Sequence, residues 1–194
     1  MIKAIIFDCF GVVIADGLEA LLLRRSKTDP ELHEYVMSII RRSNRGEIEP
    51  AEAHGIISEH LGISPDQWHQ EMYSGEIRNQ PVMDLILNLR NKYKTALLSN
   101  VGKGSLKQRF SDEELSHMFD AVVVSGEVGF AKPDPEIYEH TADLLGVHIN
   151  ECVFIDDRQP YVDGARRTGM QAILYENFGQ LQDDLNKLLA DTKS

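Results

Sequence analysis

The sequence predicts an α/β protein, a doubly wound parallel sheet in a Rossmann-like core that is interrupted early by a helical domain. Three observations predict it. Short apolar runs rich in Ile, Val, Leu and Ala recur along the chain without polar alternation, so each reads as a strand buried on both faces. Helical periodicity fills the segments between the later runs, the pattern of βαβ units. The residues between the first run and Pro81 carry helical patterns and no strand signal.

The first run is Ala4–Phe7, and the others are Thr95–Leu98, Ala121–Val124, Cys152–Ile155 and Ala172–Leu174. Between the first run and Pro81, helices are predicted over Leu18–Arg25, Glu31–Arg42, Pro50–Leu61 and Pro65–Tyr73. Asp29-Pro30 and Ser64-Pro65 have the form of an N-cap followed by proline at the first helical position, and Gly46 and Gly62 stand where helices stop. Trp68 falls at helical spacing and reads as core of this insert. Pro81–Lys92 places Val82, Leu85, Ile86 and Leu89 on one stripe, and Pro135–Leu145 places Ile137, Tyr138 and Leu144 on another. Gln180 to Ser194 reads as an amphipathic closing helix with a frayed end. The predicted domains are a core of residues 1–14 and 81–194 and a four-helix cap of residues 15–80.

The 194 residues suffice for one full core and a small second domain. With 42% hydrophobic and 26% charged residues, the composition is that of a soluble globular protein. A formal charge of -11 argues against nucleic acid as a partner, since phosphate backbones attract basic surfaces. An anionic substrate must then be attracted locally, by a metal, a lysine or helix N-termini. Cys9 and Cys152 each lie inside an apolar run and read as reduced, buried thiols. The apolar stretch at the N-terminus is too short for a signal peptide, and no segment reaches the roughly 18 apolar residues of a membrane span. A cytoplasmic protein, monomeric or homodimeric, is expected.

Ligands of an open parallel sheet collect beyond the carboxyl ends of its strands. There the sequence places Asp8 after the first strand, Ser99 and Asn100 after the second, Lys132 in the loop after the third, and Asp156 and Asp157 after the fourth. Carboxylates held close repel one another unless a cation neutralises them. Oxygen ligands without His or Cys point to Mg²⁺. A metal and a lysine facing a free carboxylate describe a phosphate site with a built-in nucleophile. Ser99 and the backbone N–H groups after it are placed to hold phosphate oxygens.

The segments Asp8-Cys9-Phe10-Gly11-Val12, Leu98-Ser99-Asn100, Lys132-Pro133-Asp134-Pro135-Glu136-Ile137-Tyr138, and Phe154-Ile155-Asp156-Asp157 with Gly164-Ala165 resemble, in order, the four motifs of the haloacid dehalogenase superfamily. The resemblance covers the whole chain, and the insert is similar to that family's helical cap. It implies that Asp8 attacks phosphorus to form an aspartyl-phosphate and that Ser99, Asn100 and Lys132 bind the phosphate. It also implies that Mg²⁺ is held by Asp8, the backbone carbonyl of Phe10, and Asp156 or Asp157, with Asp157 favoured as the direct ligand. A small phosphorylated metabolite, such as a sugar phosphate or nucleotide, is the expected substrate.

The chain departs from that pattern at two places. Most phosphatases that it resembles carry an acid two residues after the nucleophile; Phe10 stands there, so turnover is expected to be slow unless the leaving group is good or the cap supplies a base. Asp16, Glu19 and His54 are candidates for that base. Tyr161 stands where relatives usually have Asn supporting the metal. Two other readings remain open, a catalytically impaired protein that binds phosphate or a partner, and a metal-independent 2-haloacid dehalogenase. Other local signals are set aside. Cys9 lacks the Arg of a C-x₅-R loop, Gly102-Lys103-Gly104-Ser105 lacks the first Gly of a P-loop, and no histidine pattern matches a zinc helix. Arg24, Arg25 and Lys27 read as a solvated face.

Overall fold

The computed structural model describes residues 1–25 and 30–191; Lys27, Asp29 and the end of the closing helix lie outside them. Five parallel strands form one sheet in the order β3-β2-β1-β4-β5. They are β1 (Ala4–Phe7), β2 (Lys94–Ser99), β3 (Ala121–Val124), β4 (Cys152–Asp156) and β5 (Gln171–Leu174). The helices follow in chain order as α1 (Gly17–Arg25), α2 (Pro30–Asn44), α3 (Pro50–Leu61), α4 (Pro65–Tyr73), α5 (Gln80–Leu89), α6 (Asp112–Met118), α7 (Ser125–Val128), α8 (Pro135–Leu145), α9 (Gln159–Arg167) and α10 (Phe178–Asp191).

Every residue of β1 is buried, as its unbroken apolar run requires of a strand covered on both sides. Alternation divides the side chains between two cores. Ile5, Phe7, Leu97, Val153 and Ile155 join Val82 and Ile86 of α5 and Leu181 and Leu185 of α10. Ala4, Ile6, Ala96, Leu98 and Phe154 join Ile137 and Tyr138 of α8 and Val162 and Ala165 of α9. Each fully buried Ile, Leu or Phe contributes about 1.5–3 kcal/mol, so two such layers fix the sheet and the directions in which its strand ends point.

Between β1 and α5, helices α1 to α4 enclose a third cluster that includes Leu21, Val36, Ile57 and a fully buried Trp68. Their boundaries follow the signals in the chain. Gly62 ends α3 at φ 65°. Ser64 accepts a hydrogen bond from the Gln67 N–H at 3.2 Å, while the Gln67 side chain accepts one from the Ser64 N–H at 2.9 Å. This is a capping box.

Helix α5 stops at Leu89, short of the predicted Lys92, because β2 must begin level with β1. The chain turns so that the Lys94 N–H reaches the Lys3 carbonyl at 2.9 Å. Helix α6 was not anticipated, although Ser111 and Glu114 form a second capping box at its start. Asp134 stands at the N-cap of α8 without capping it, since its carboxylate is drawn to Arg45 at 2.8 Å.

Candidate active site

The site is built where β1, β2 and β4 end. The Asp8 N–H still donates to the Ile155 carbonyl at 2.9 Å, so the nucleophile candidate leaves the sheet in register with β4. The chain then doubles back, with the Gly11 N–H donating to the Ile14 carbonyl at 2.6 Å and the Val13 N–H to the Cys9 carbonyl at 2.9 Å. Ser99 ends β2, and Asp156 ends β4. Lys132 arrives from the loop before α8 and is clamped by Asn100. The Asn100 Nδ2 donates to the Lys132 carbonyl at 2.9 Å, and the Lys132 N–H donates to Asn100 Oδ1 at 2.9 Å. Both ends of the Asn100 amide are thus engaged by backbone, so its side chain holds the loop that carries the lysine.

The Lys132 ammonium donates to Asp8 Oδ1 at 2.6 Å, to Asp156 Oδ2 at 2.7 Å and to the Leu98 carbonyl at 3.2 Å. These groups are buried, with Lys132 3% exposed, Asp8 6% and Asp156 0%. Burial alone would favour neutral lysine, but Asp156 and Asp8 outweigh it and hold the ammonium charged above its ordinary range. Asp8 is pushed the other way. Burial is the larger cause; Lys132 opposes it and Asp156 and Asp157 add to it, so its carboxyl lies well above the usual carboxylate range. The two acids around Lys132 keep it charged, while burial and the neighbouring acids hold Asp8 toward its neutral form. Burial, and then Asp156, raise the Asp157 carboxyl to about 6.

The paired acids are not equivalent. Asp156 uses both oxygens, one on Lys132 and the other accepting the Arg158 N–H at 2.8 Å. Asp157 keeps Oδ1 buried with no hydrogen-bond partner. A buried carboxylate oxygen without a partner is costly. Asp8, Asp156 and Asp157 each offer an oxygen within 4.8 Å of the others, a donor set that suits a small hard cation.

Gly11 makes room for this arrangement. It adopts φ 98°, and a Cβ there would overlap the Asp157 carboxylate. Gly11→Ala is expected to lower Tm by several degrees, since left-handed strain and overlap together cost about 1–3 kcal/mol. It should also weaken divalent-cation binding by moving Asp157. Calorimetry with and without added Mg²⁺ checks both, and an unchanged metal response would mean that Asp157 has not moved.

Above these residues lies a cavity of about 340 Å³, walled by the strand ends on one side and the insert on the other. Ion pairs fasten the two together. Arg109 meets Glu76 at 2.6 Å with both side chains about nine-tenths buried, Arg158 meets Glu19 at 3.1 Å, and Arg45 meets Asp134 at 2.8 Å. The Arg109 guanidinium also stacks over Phe10 at 5.2 Å and over Tyr73 at 4.5 Å. Phe10 lines the cavity. Tyr161 places its ring 5.1 Å from the Lys132 Nζ.

His54 lines the cavity too, with Nδ1 2.6 Å from His69 Nε2. Burial first, and then His69, push its pKa down to about 4. Its partner is therefore His69; His60, nearer in sequence, stacks on Tyr35 instead. Arg25 of the supposed solvated face pairs with Glu71 at 2.6 Å. Sequence reasoning did not find Arg109, Glu76 or His69.

The model of the haloacid dehalogenase-like hydrolases matches residues 2–169. The chain is similar to a phosphatase of Mycobacterium tuberculosis, 44% identical over 69 residues that cover 36% of this chain and 32% of that protein. It is also similar to N-acylneuraminate-9-phosphatase of Rattus norvegicus, 30% identical over 99 residues covering 50% of this chain and 40% of that protein. The chain thus spans less than half the length of these curated relatives. A HAD family enzyme from Bacteroides thetaiotaomicron, crystallised with magnesium and inorganic phosphate, superposes with a TM-score of 0.75 at 26% identity, covering 91% of this chain and 95% of that one. L-2-haloacid dehalogenase from Xanthobacter autotrophicus shares the fold, with a TM-score of 0.61 at 22% identity over 89% of this chain and 76% of that one. With the family model covering most of its length, the chain belongs to the haloacid dehalogenase-like hydrolases.

Proposed function

We propose that the chain hydrolyses phosphate monoesters of small metabolites, with Mg²⁺ bound by Asp8, Asp157 and the Phe10 carbonyl. The observation that carries this reading is the unpartnered buried oxygen of Asp157 beside Asp8, in a site whose single ammonium is already shared. When bound, Mg²⁺ supplies the positive charge that lets a phosphate dianion approach carboxylates. The magnesium and phosphate in the Bacteroides relative and the phosphatases among the curated relatives support the same chemistry. We favour it over carbon–halogen cleavage because Asp156 and Asp157 facing Asp8 without a metal would be electrostatically costly.

In this reading an Asp8 oxygen attacks phosphorus, the ester P–O bond breaks, and the leaving group departs with its electron pair. Lys132 lies 2.6 Å from Asp8 and neutralises charge on the phosphoryl oxygens as they pass. Ser99 and the N–H groups after it orient those oxygens. Asp156 fixes Lys132, and Asn100 fixes the loop that carries it. Water then attacks the aspartyl-phosphate, releasing inorganic phosphate and restoring the Asp8 carboxylate. Residues 15–80 act as a cap that excludes bulk water and selects the leaving group. Phe10 offers no proton to that group. Both cysteines are free and buried, which suits a reducing cytoplasm. Among the described residues, no helix is long and apolar enough to cross a membrane.

The test is release of phosphate from 4-nitrophenyl phosphate, with Mg²⁺ and with a chelator. Release that needs no metal would refute the proposal. Phe10→Asp should then raise turnover of alkyl phosphates by about 10²-fold while changing the nitrophenyl ester little, since a supplied proton matters only for basic leaving groups. Equal gains on both esters would place the benefit elsewhere.

Metal binding should also depend on pH. Asp157, raised from 3.8 to about 6, contributes stability to the metal-free protein that is present at low pH and lost as pH rises through about 6. His54, lowered from 6.5 to about 4, contributes stability present above 6.5 and lost as pH falls through about 4. The two oppose each other in one window, so the clean readout is the difference in Tm with and without Mg²⁺. That difference should be small near pH 5, grow as pH rises through about 6, and grow further as Asp8, raised higher still, loses its proton. A difference independent of pH would mean that neither carboxylate binds the ion.

A further inference from the structure

The cavity above Asp8 has two chemically different ends. Its floor holds Asp8, Ser99 and Lys132, whereas the insert contributes an apolar stretch of Leu18, Met37, Ile40 and Met72 set among polar residues that include Ser43, Asn44 and His54. Among the described residues, each arginine or lysine in its wall already holds a carboxylate. Arg41 is paired with Glu34, Arg45 with Asp134, Arg109 with Glu76, Arg158 with Glu19, and Lys132 with Asp8 and Asp156. A second anionic group on a substrate would have to take one of these cations from its acid or be buried without a partner. His54 has its Nδ1 against His69 and is held neutral at pH 7, so it adds no charge.

We propose that the cavity selects phosphate esters whose leaving group is an uncharged, largely apolar body that departs as a weakly basic oxyanion, as in aryl or enol phosphates. The inference deepens the phosphatase reading and rests on it. Three independent features converge on this class. The apolar wall rewards an apolar body by removing its surface from water. The committed cations disfavour a second phosphate or a carboxylate, as in bisphosphates, nucleoside diphosphates and phosphorylated sugar acids. Phe10 provides no proton, so the breaking P–O bond must leave its electron pair on an oxygen stable as an anion. In the balanced step, Asp8 gains the phosphoryl group, the phenolate or enolate leaves, and solvent protonates it later.

A matched pair of substrates with the full chain and Mg²⁺ tests this. One is 4-nitrophenyl phosphate, and the other is a nitrophenyl phosphate of equal phenol acidity that carries an additional carboxylate. The neutral ester should show kcat/KM at least about tenfold higher, with most of the difference in KM. Glu34→Gln, a change at an exposed residue away from the strand ends, frees Arg41 and should narrow that gap by improving the carboxylated ester alone. Equal or better use of the carboxylated ester by the unaltered protein overturns the inference and leaves the phosphatase reading standing. Absence of Mg²⁺-dependent release from both esters overturns the phosphatase reading, and the inference with it.

Discussion

Asp8→Asn is expected to lower Mg²⁺-dependent release of phosphate from 4-nitrophenyl phosphate by at least about 10⁴-fold while leaving the protein folded. Loss of a covalent nucleophile removes the reaction path itself and not merely a stabilising contact. Asparagine matches aspartate in shape, so Lys132 keeps Asp156 at 2.7 Å and Leu98 at 3.2 Å, and the β1 turn keeps its backbone bonds. The stability change has a definite sign. Burial and two neighbouring acids destabilise a charged Asp8, so a neutral amide should leave the metal-free Tm unchanged or raise it. The rise in Tm on adding Mg²⁺ should shrink, because one ligand is lost. A fall in activity with a lowered Tm would report damage to the fold; a fall with a raised Tm reports removal of the nucleophile. Residual activity above about a tenth of the original would show that another group attacks phosphorus.

Much of this site was legible in the chain because Asp8, Ser99, Asn100, Asp156 and Asp157 end a strand or directly follow one, and buried strands announce themselves as unbroken apolar runs. Ala4–Phe7 points to Asp8, and Cys152–Ile155 points to Asp156 and Asp157, with no tertiary knowledge needed. The helices of the insert were legible for a local reason as well, since proline at the first helical position and glycine past the last one act within a few residues. Arg109 was not legible. It follows a single 3₁₀ turn over Ser105–Gln108 with no apolar period, and its partner Glu76 is 33 residues away on the far side of β2. The His54–His69 pair joins two helices at a separation of 15 residues, which no intrahelical spacing encodes. The resemblance already favoured Asp157 over Asp156 as the metal ligand, but which oxygens of the pair are hydrogen-bonded, and the engagement of both ends of the Asn100 amide, needed the structure.

Lys132→Met is the substitution expected to cost most overall, because the lysine serves the fold and the chemistry at once. Removing a buried ammonium leaves Asp8 and Asp156 without their common partner, at a cost of about 3–5 kcal/mol. For a chain of this size the metal-free Tm should fall on the order of 10 °C. Acid should restore part of the loss, since protonation removes the repulsion among the acids, and Mg²⁺ should restore part of it above pH 6 through Asp8 and Asp157. Turnover of the folded variant should fall by about 10²–10³-fold, the usual effect of deleting one preorganised charge from a site of this kind. These two losses can be separated. In the double variant Lys132→Met/Asp156→Asn the carboxylate that depended most on the lysine becomes a neutral amide, so most of the lost Tm should return. Turnover should not, because the phosphoryl oxygens still lack their cation. Recovery of both would mean that Lys132 acts only by holding Asp156 in the fold, and recovery of Tm alone would assign it the charge on which phosphoryl transfer depends.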